Sequence, residues 1–211
     1  MQFATFHDLE DQSVFITGGG SGIGADLTKG FLSQGAKVTF VQRSNPEKFL
    51  AECEGKYKYE PTFIKCDVSH IEELKIALQT TAKEQGAVTV LVNNAANDTR
   101  HTLDEFTSQQ WDQTMEVNLK PHFFAAQEVV EGMKISGGGS IINFSSISYM
   151  MGNEGYPAYA TAKSAITGLT RSLARELGPH SIRVNAIMPG WVLTKRQMKL
   201  WATEEGLSKH L

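Results

Sequence analysis

The chain predicts a doubly wound α/β domain, with parallel strands and helices on both faces, and three observations lead there. Short β-rich apolar runs alternate with helical stripes, a glycine-rich loop joins the first run to the first stripe, and the polar motifs follow strands. Ligands of such sheets gather at the carboxyl ends of the strands. One edge should therefore hold every motif.

The elements follow in order. Ser13–Thr17 reads as the first strand, and residues 18–24 (GGGSGIG) lead into a helical pattern through Leu27, Phe31 and Leu32. Glycine tolerates positive φ and lets backbone approach a pyrophosphate, whose charge suits the free N–H groups of the next helix. The spacing of Gly18, Gly22 and Gly24 is wider than the strict dinucleotide fingerprint, whereas Gly20, Gly22 and Ala25 satisfy its looser form. Residues 36–41, 62–66 and 88–92 read as strands two to four, with the Ile71, Leu74, Ala77 and Leu78 stripe as a helix before strand four. Trp111, Met115 and Val117 belong to a long helical pattern over 107–133. Residues 141–144 and Ile182–Ile187 read as strands five and six. Between them Ile166, Leu169, Leu173 and Leu177 mark a long helix that ends at Gly178-Pro179.

Tyr159 and Lys163, near the start of that helix, are four apart and share one face, and Ser146 lies upstream at a strand end. A phenol with a pKa of about 10 is a poor acid or base at neutral pH unless a nearby ammonium favours the phenolate. Lys163 is expected to supply that charge. Ser146 would bind a substrate oxygen while Tyr159 exchanges its proton, which suits hydride transfer between alcohol and carbonyl. Cofactor choice is read at strand two. A carboxylate there would bind the ribose diol, but the chain carries Gln42 and Arg43 instead, so NADP is expected in preference to NAD, with NAD still possible.

Composition agrees with a single soluble enzyme domain over residues 1–211. With 211 residues and 41% hydrophobic content the chain can fill one core. A net charge of -3 gives no footprint for nucleic acid. No apolar run is long enough for a membrane span and no basic-then-apolar leader opens the chain, so a cytoplasmic location is expected. Cys53 and Cys66 are isolated thiols, expected to be buried, and no metal site is expected.

Thr17 to Gly24, Asn93-Asn94-Ala95-Ala96, Asn118, Ser146, Tyr159, Lys163 and Pro189-Gly190 fall in the order of the short-chain dehydrogenase/reductases, which the chain resembles from Ser13 to Thr194. Glycine is usual in that family where Ala96 stands, a change tolerated if the local φ is negative. The resemblance implies a Rossmann-type fold and a catalytic tetrad of Asn118, Ser146, Tyr159 and Lys163, with Asn118 holding a water that links Lys163 to solvent. It implies a cofactor site of Gly18, Ser21, Gly22, Ile23, Gly24, Gln42, Arg43, Asp67, Val68, Asn94, Ala95, Pro189, Gly190 and Thr194, shared with Tyr159 and Lys163. A homodimer or homotetramer is also implied. Relatives continue well past the Pro-Gly loop, so the lid, about residues 191–211, is expected to be truncated and the C-terminal strand missing.

The segments after strand four, after Ser146 and after Gly190 look like those of the sugar 1-dehydrogenases within the family, which oxidise aldoses to lactones. Asn97, Ser146, Tyr149, Trp191 and Arg196 are the expected substrate residues, with Asp98 beside them, because polyols need directed hydrogen bonds and an aromatic platform. Alternatively Asp98, Arg100 and His101 pair with one another as a loop network. Two other functions stay open: a reductase of ketones or 3-oxoacyl chains, and a non-catalytic NADP-binding protein if the chain ends at Leu211.

Overall fold

The computed structural model describes residues 4–202. Six strands, β1 Ser13–Thr17, β2 Lys37–Gln42, β3 Thr62–Lys65, β4 Val90–Asn93, β5 Gly139–Phe144 and β6 Ile182–Ile187, form one sheet, every pairing parallel. Their order is β3-β2-β1-β4-β5-β6, so the winding reverses between β1 and β4. All six are the expected strands, with ends shifted by no more than two residues. Among the described residues seven α-helices accompany them: α1 Gly22–Ser33, α2 Glu47–Cys53, α3 Ile71–Gln85, α4 Ser108–Asn118, α5 Lys120–Ile135, α6 Pro157–Leu177 and α7 Lys195–Leu200.

β1 is buried at every position because helices cover both of its faces, and its side chains divide between two cores. Phe15 joins Leu74 and Leu78 of α3 and Ala125 and Met133 of α5 on one face. Val14 and Ile16 join Leu32 of α1, Phe40 and Phe49 on the other. Each of these side chains larger than alanine stabilises the fold by roughly 1.5–3 kcal/mol. Cys53 and Cys66 are buried free thiols within these cores.

The long pattern over 107–133 is two helices, not one. Leu119 leaves helical geometry at φ -128, ψ -55, and Pro121 opens α5. Proline has no N–H to continue the ladder of α4 and its ring clashes with the preceding turn, so the chain breaks just beyond Asn118. α2, seven residues with only Phe49 and Cys53 buried, gives too little periodicity to be read from sequence.

Polar contacts inside the sheet position α6. Asn93 Nδ2 donates to Asn143 Oδ1 at 3.0 Å, and Asn143 Nδ2 donates to Thr170 Oγ1 at 3.0 Å. Ser145 Oγ donates to the Lys163 carbonyl at 2.6 Å. All of these side chains are buried, so leaving any of them unpaired would cost about 1–3 kcal/mol. The helix that carries Tyr159 and Lys163 is thus registered against the ends of β4 and β5. No helix among the described residues is long and apolar enough to cross a membrane. The expected lid is described only as far as residue 202, and its remainder lies outside the described residues.

Gly18 in the loop and Gly24 in the first turn of α1 each require glycine. Gly18 has φ +71, the left-handed region that favours glycine, and a Cβ on Gly24 would overlap the Gly18 carbonyl where α1 packs closely on the loop. Ala96 has no positive φ, so the alanine is accommodated there. Gly24→Ala is expected to lower stability by about 1–3 kcal/mol through this overlap, read as a lower Tm in thermal melts.

Candidate active site

The carboxyl ends of the strands open into a cleft of about 2000 Å³. Its walls include Gly18, Ser21, Gly22, Ile23 and Gly24 of the loop, Gln42 and Arg43 after β2, and Asp67 and Val68 after β3. They continue through Asn94 and Ala95 after β4, Ser146 after β5, Tyr159 and Lys163 of α6, and Pro189, Gly190 and Thr194 after β6. Thus the expected cofactor positions and the Ser-Tyr-Lys set border one space.

At the loop end, the N-cap of α1, Ser21, makes no side-chain capping bond and the first turn has no acidic residue. An anion meets free N–H groups and no repulsion there, which fits a pyrophosphate. Gln42 reaches back, its Oε1 accepting from Gly20 N at 3.0 Å, and so braces the loop. Arg43 is exposed and lies 3.7 Å from the Asp67 carboxylate, a pair that solvent leaves weak. Burial would raise the Asp67 carboxyl, but hydrogen bonds from Ser69, helped by Arg43, hold it below the usual value. Asn94 ties β4 to β1: its Nδ2 donates to Thr17 O at 2.9 Å, and its own N–H donates to Thr17 Oγ1 at 2.9 Å. Thr194 caps α7 and faces Gly22 across the cleft.

Lys163 is fully buried at the other end, its Nζ donating to Phe144 O at 2.7 Å and lying 5.5 Å from the centre of the Tyr159 ring. Burial drives its amine down to about 7, against the opposing charge of Asp98. The expected acidification of Tyr159 is not found in the protein alone. Burial, then Asp98, pushes the phenol up to about 12, while a hydrogen bond with Ser146 pulls the other way. Burial thus decides the direction for both groups, down for the amine and up for the phenol. Burial, with the Lys163 charge, also holds the His122 imidazole well below its ordinary value.

Asn118 ends α4 and is fully buried behind the cleft wall. Its Oδ1 accepts from Asn97 N at 2.8 Å and its Nδ2 donates to Asn97 O and Thr114 O, both at 3.0 Å. The side-chain amide is therefore spent on fixing the loop after β4. Tyr149 is a correction, because it does not face the cleft. The turn over Ile147–Tyr149 directs it across α6, where its hydroxyl bonds Thr167 Oγ1 at 3.1 Å and Met188 Sδ at 3.5 Å.

Asn97, Trp191 and Arg196 do line the cleft, and Asp98 joins them through the segment over residues 191–202. Arg196 Nη2 donates to Asp98 Oδ1 at 3.2 Å, Gln197 Nε2 donates to Asp98 Oδ2 at 2.7 Å, and Trp191 Nε1 donates to Gln197 Oε1 at 2.9 Å. The alternative pairing among Asp98, Arg100 and His101 does not occur. Arg100 stacks on Tyr156, while His101 stacks on Phe106 and accepts from Ala158 N. Asn153, Tyr156, Gln197 and Trp201 also line the cleft and were missed from sequence. Tyr156 stands three residues before Tyr159, at the N-cap of α6, and its ring meets that of Tyr159 edge-on at 5.5 Å. Among the described residues no three His, Cys, Asp or Glu side chains could share a metal ion.

A nucleotide-sized cleft at the switch point, with a glycine loop at one end and a Ser-Tyr-Lys set at the other, defines a nicotinamide-dependent oxidoreductase acting on CH–OH groups. The model of the short chain dehydrogenase family, whose members use NAD(P), matches residues 12–205, and the chain belongs to that family. It is 47% identical over 207 residues to a protein of Rhizobium meliloti named probable galactose dehydrogenase, covering 97% of this chain and 80% of that one. It is also 47% identical over 207 residues to D-xylose 1-dehydrogenase of Caulobacter vibrioides, covering 98% and 82%. The solved structure of L-sorbose reductase from Gluconobacter frateurii, complexed with NADPH and L-sorbose, matches with a TM-score of 0.86 at 29% identity, covering 90% of this chain and 73% of that one.

The dry amine has a stability signature. In the unfolded chain Lys163 keeps its proton up to 10.5, but in the folded protein only to about 7. Across that window the unfolded state binds more protons, so this residue's contribution to stability rises with pH and is complete above it. The Tm of the wild type minus that of Lys163→Met should therefore increase as pH is raised through the window. A difference that stays flat contradicts a buried neutral amine.

Proposed function

We propose that this protein oxidises an aldose at C1 to its lactone, with NADP in preference to NAD, in one catalytic domain. The observation that carries the reading is that Ser146, Tyr159 and Lys163 share one cleft with the glycine loop, beneath a polar wall formed by Asn97, Asp98 and Arg196. The names of the two relatives at 47% identity supply the sugar. When bound, the nicotinamide supplies a hydride acceptor at C1 and a positive charge that favours the phenolate. Ser146 donates a hydrogen bond to the C1 oxygen, and Tyr159 takes the C1 hydroxyl proton as the carbonyl forms. Lys163 binds the nicotinamide ribose and sets the charge beside Tyr159. Asn118, through Asn97, holds the loop that faces the sugar. The remaining hydroxyls of a polyol match the acceptors and donors of Asn97 and Arg196 beside the Trp191 ring.

NADP is favoured because no carboxylate ends β2 and the exposed Arg43 guanidinium is held only weakly by Asp67, which leaves it able to pair with a 2′-phosphate. A second reading, reduction of a ketose, is supported by a Tyr159 that keeps its proton up to about 12 and by the likeness to L-sorbose reductase. Cytoplasmic location and a homodimer or homotetramer complete the proposal, the latter supported by the half-exposed Trp111 of α4 and Phe123 of α5.

A panel of D-xylose, D-galactose, L-arabinose, D-fucose and L-sorbose, assayed with both cofactors in both directions, tests the reading. Aldose oxidation alone supports it, and ketose reduction alone replaces it with the second reading. Arg43→Ala should raise the KM for NADP by about 10- to 100-fold, the loss of one charge-assisted contact, and leave the KM for NAD nearly unchanged. Equal effects on both cofactors would remove Arg43 from the phosphate site.

A further inference from the structure

Arg100 borders the same cleft as Tyr159, yet no step above employs it. Its guanidinium carbon lies 3.7 Å from the centre of the Tyr156 ring and 5.2 Å from the Trp201 ring. Stacking of this kind satisfies the face of the cation and leaves its N–H edge free to point elsewhere. Among the described residues, Arg100 Nη1 is buried without a hydrogen-bond partner, and so is Trp201 Nε1. Both groups only donate, so what both lack is an acceptor oxygen.

The segment is also fixed relative to the chemistry. His101 N donates to Gly155 O at 2.8 Å and Ala158 N donates to His101 Nε2 at 3.3 Å, which ties Arg100 to the start of α6, just before Tyr159. Trp201 follows α7, and Arg196 and Gln197 of that helix grip Asp98. Both orphan donors are closed to solvent, and both residues line the cleft that holds Tyr159.

Resting on the aldose reading, we propose that Arg100 and Trp201 form the specificity wall of the pocket and donate hydrogen bonds to one sugar oxygen remote from C1. A site built to pair with a hydroxyl rejects the analogue lacking it, because its donors are then left unpaired.

The test compares kcat/KM for D-galactose and its 3-, 4- and 6-deoxy analogues in the wild type, Arg100→Met and Trp201→Phe. In the wild type, removal of one of these oxygens should cost about 10- to 100-fold more than removal of the others. Arg100→Met should erase that difference, mainly through KM, while leaving the other analogues in their wild-type ratio. Trp201→Phe, which deletes one N–H and keeps a ring, should reduce the same difference, and it carries the test if Arg100→Met does not fold. Equal losses on every analogue would make Arg100 a structural residue and overturn the inference alone. No oxidation of any aldose by the wild type would sink the aldose reading and this inference with it.

Discussion

Burial of the Lys163 amine is the constraint on which the rest of the site depends. Among the described residues its Nζ has one hydrogen-bond partner, the Phe144 carbonyl, and the cost of drying an ammonium lowers its pKa to about 7 against the charge of Asp98. Such a group is half charged near neutrality, so a nearby charge can shift its proton. The same dryness keeps the Tyr159 proton on the phenol. A half-charged amine beside a protonated phenol forms a pair whose charge responds to what binds beside it, which suits a site that moves a proton only when substrate and cofactor are both present.

The fold supplies the rigidity that this balance needs. The Asn93, Asn143 and Thr170 contacts and the bond from Ser145 to the Lys163 carbonyl fix α6 against the sheet edge, so the amine cannot relax toward water. Asp98 links this rigid floor to the wall above it. Its carboxylate holds Arg196 and Gln197 while its charge raises Tyr159 and opposes the fall of Lys163. The placement of the segment over residues 191–202 and the proton affinities of Tyr159 and Lys163 therefore meet at one residue.

Much of this was legible in the sequence because the central strands β1 and β4 are buried on both faces and read as apolar runs, and the glycine loop needs its residue types for backbone reasons. What was not legible depends on tertiary surroundings. The direction of Tyr149 follows from partners, Thr167 and Met188, that no local pattern announces. The sign of the Tyr159 shift follows from burial, which outweighs the neighbour four residues on. The break between α4 and α5 was announced by Pro121 but masked by apolar periodicity running through it. Arg100 and Trp201 meet only because the chain after β6 returns over the loop after β4.

The most direct test of the central claim is the turnover of Tyr159→Phe, measured beside cofactor affinity by fluorescence titration. The account predicts a fall in kcat of about 100- to 10,000-fold, the range for loss of a general acid or base, with cofactor affinity retained. Wild-type turnover in that variant would contradict it.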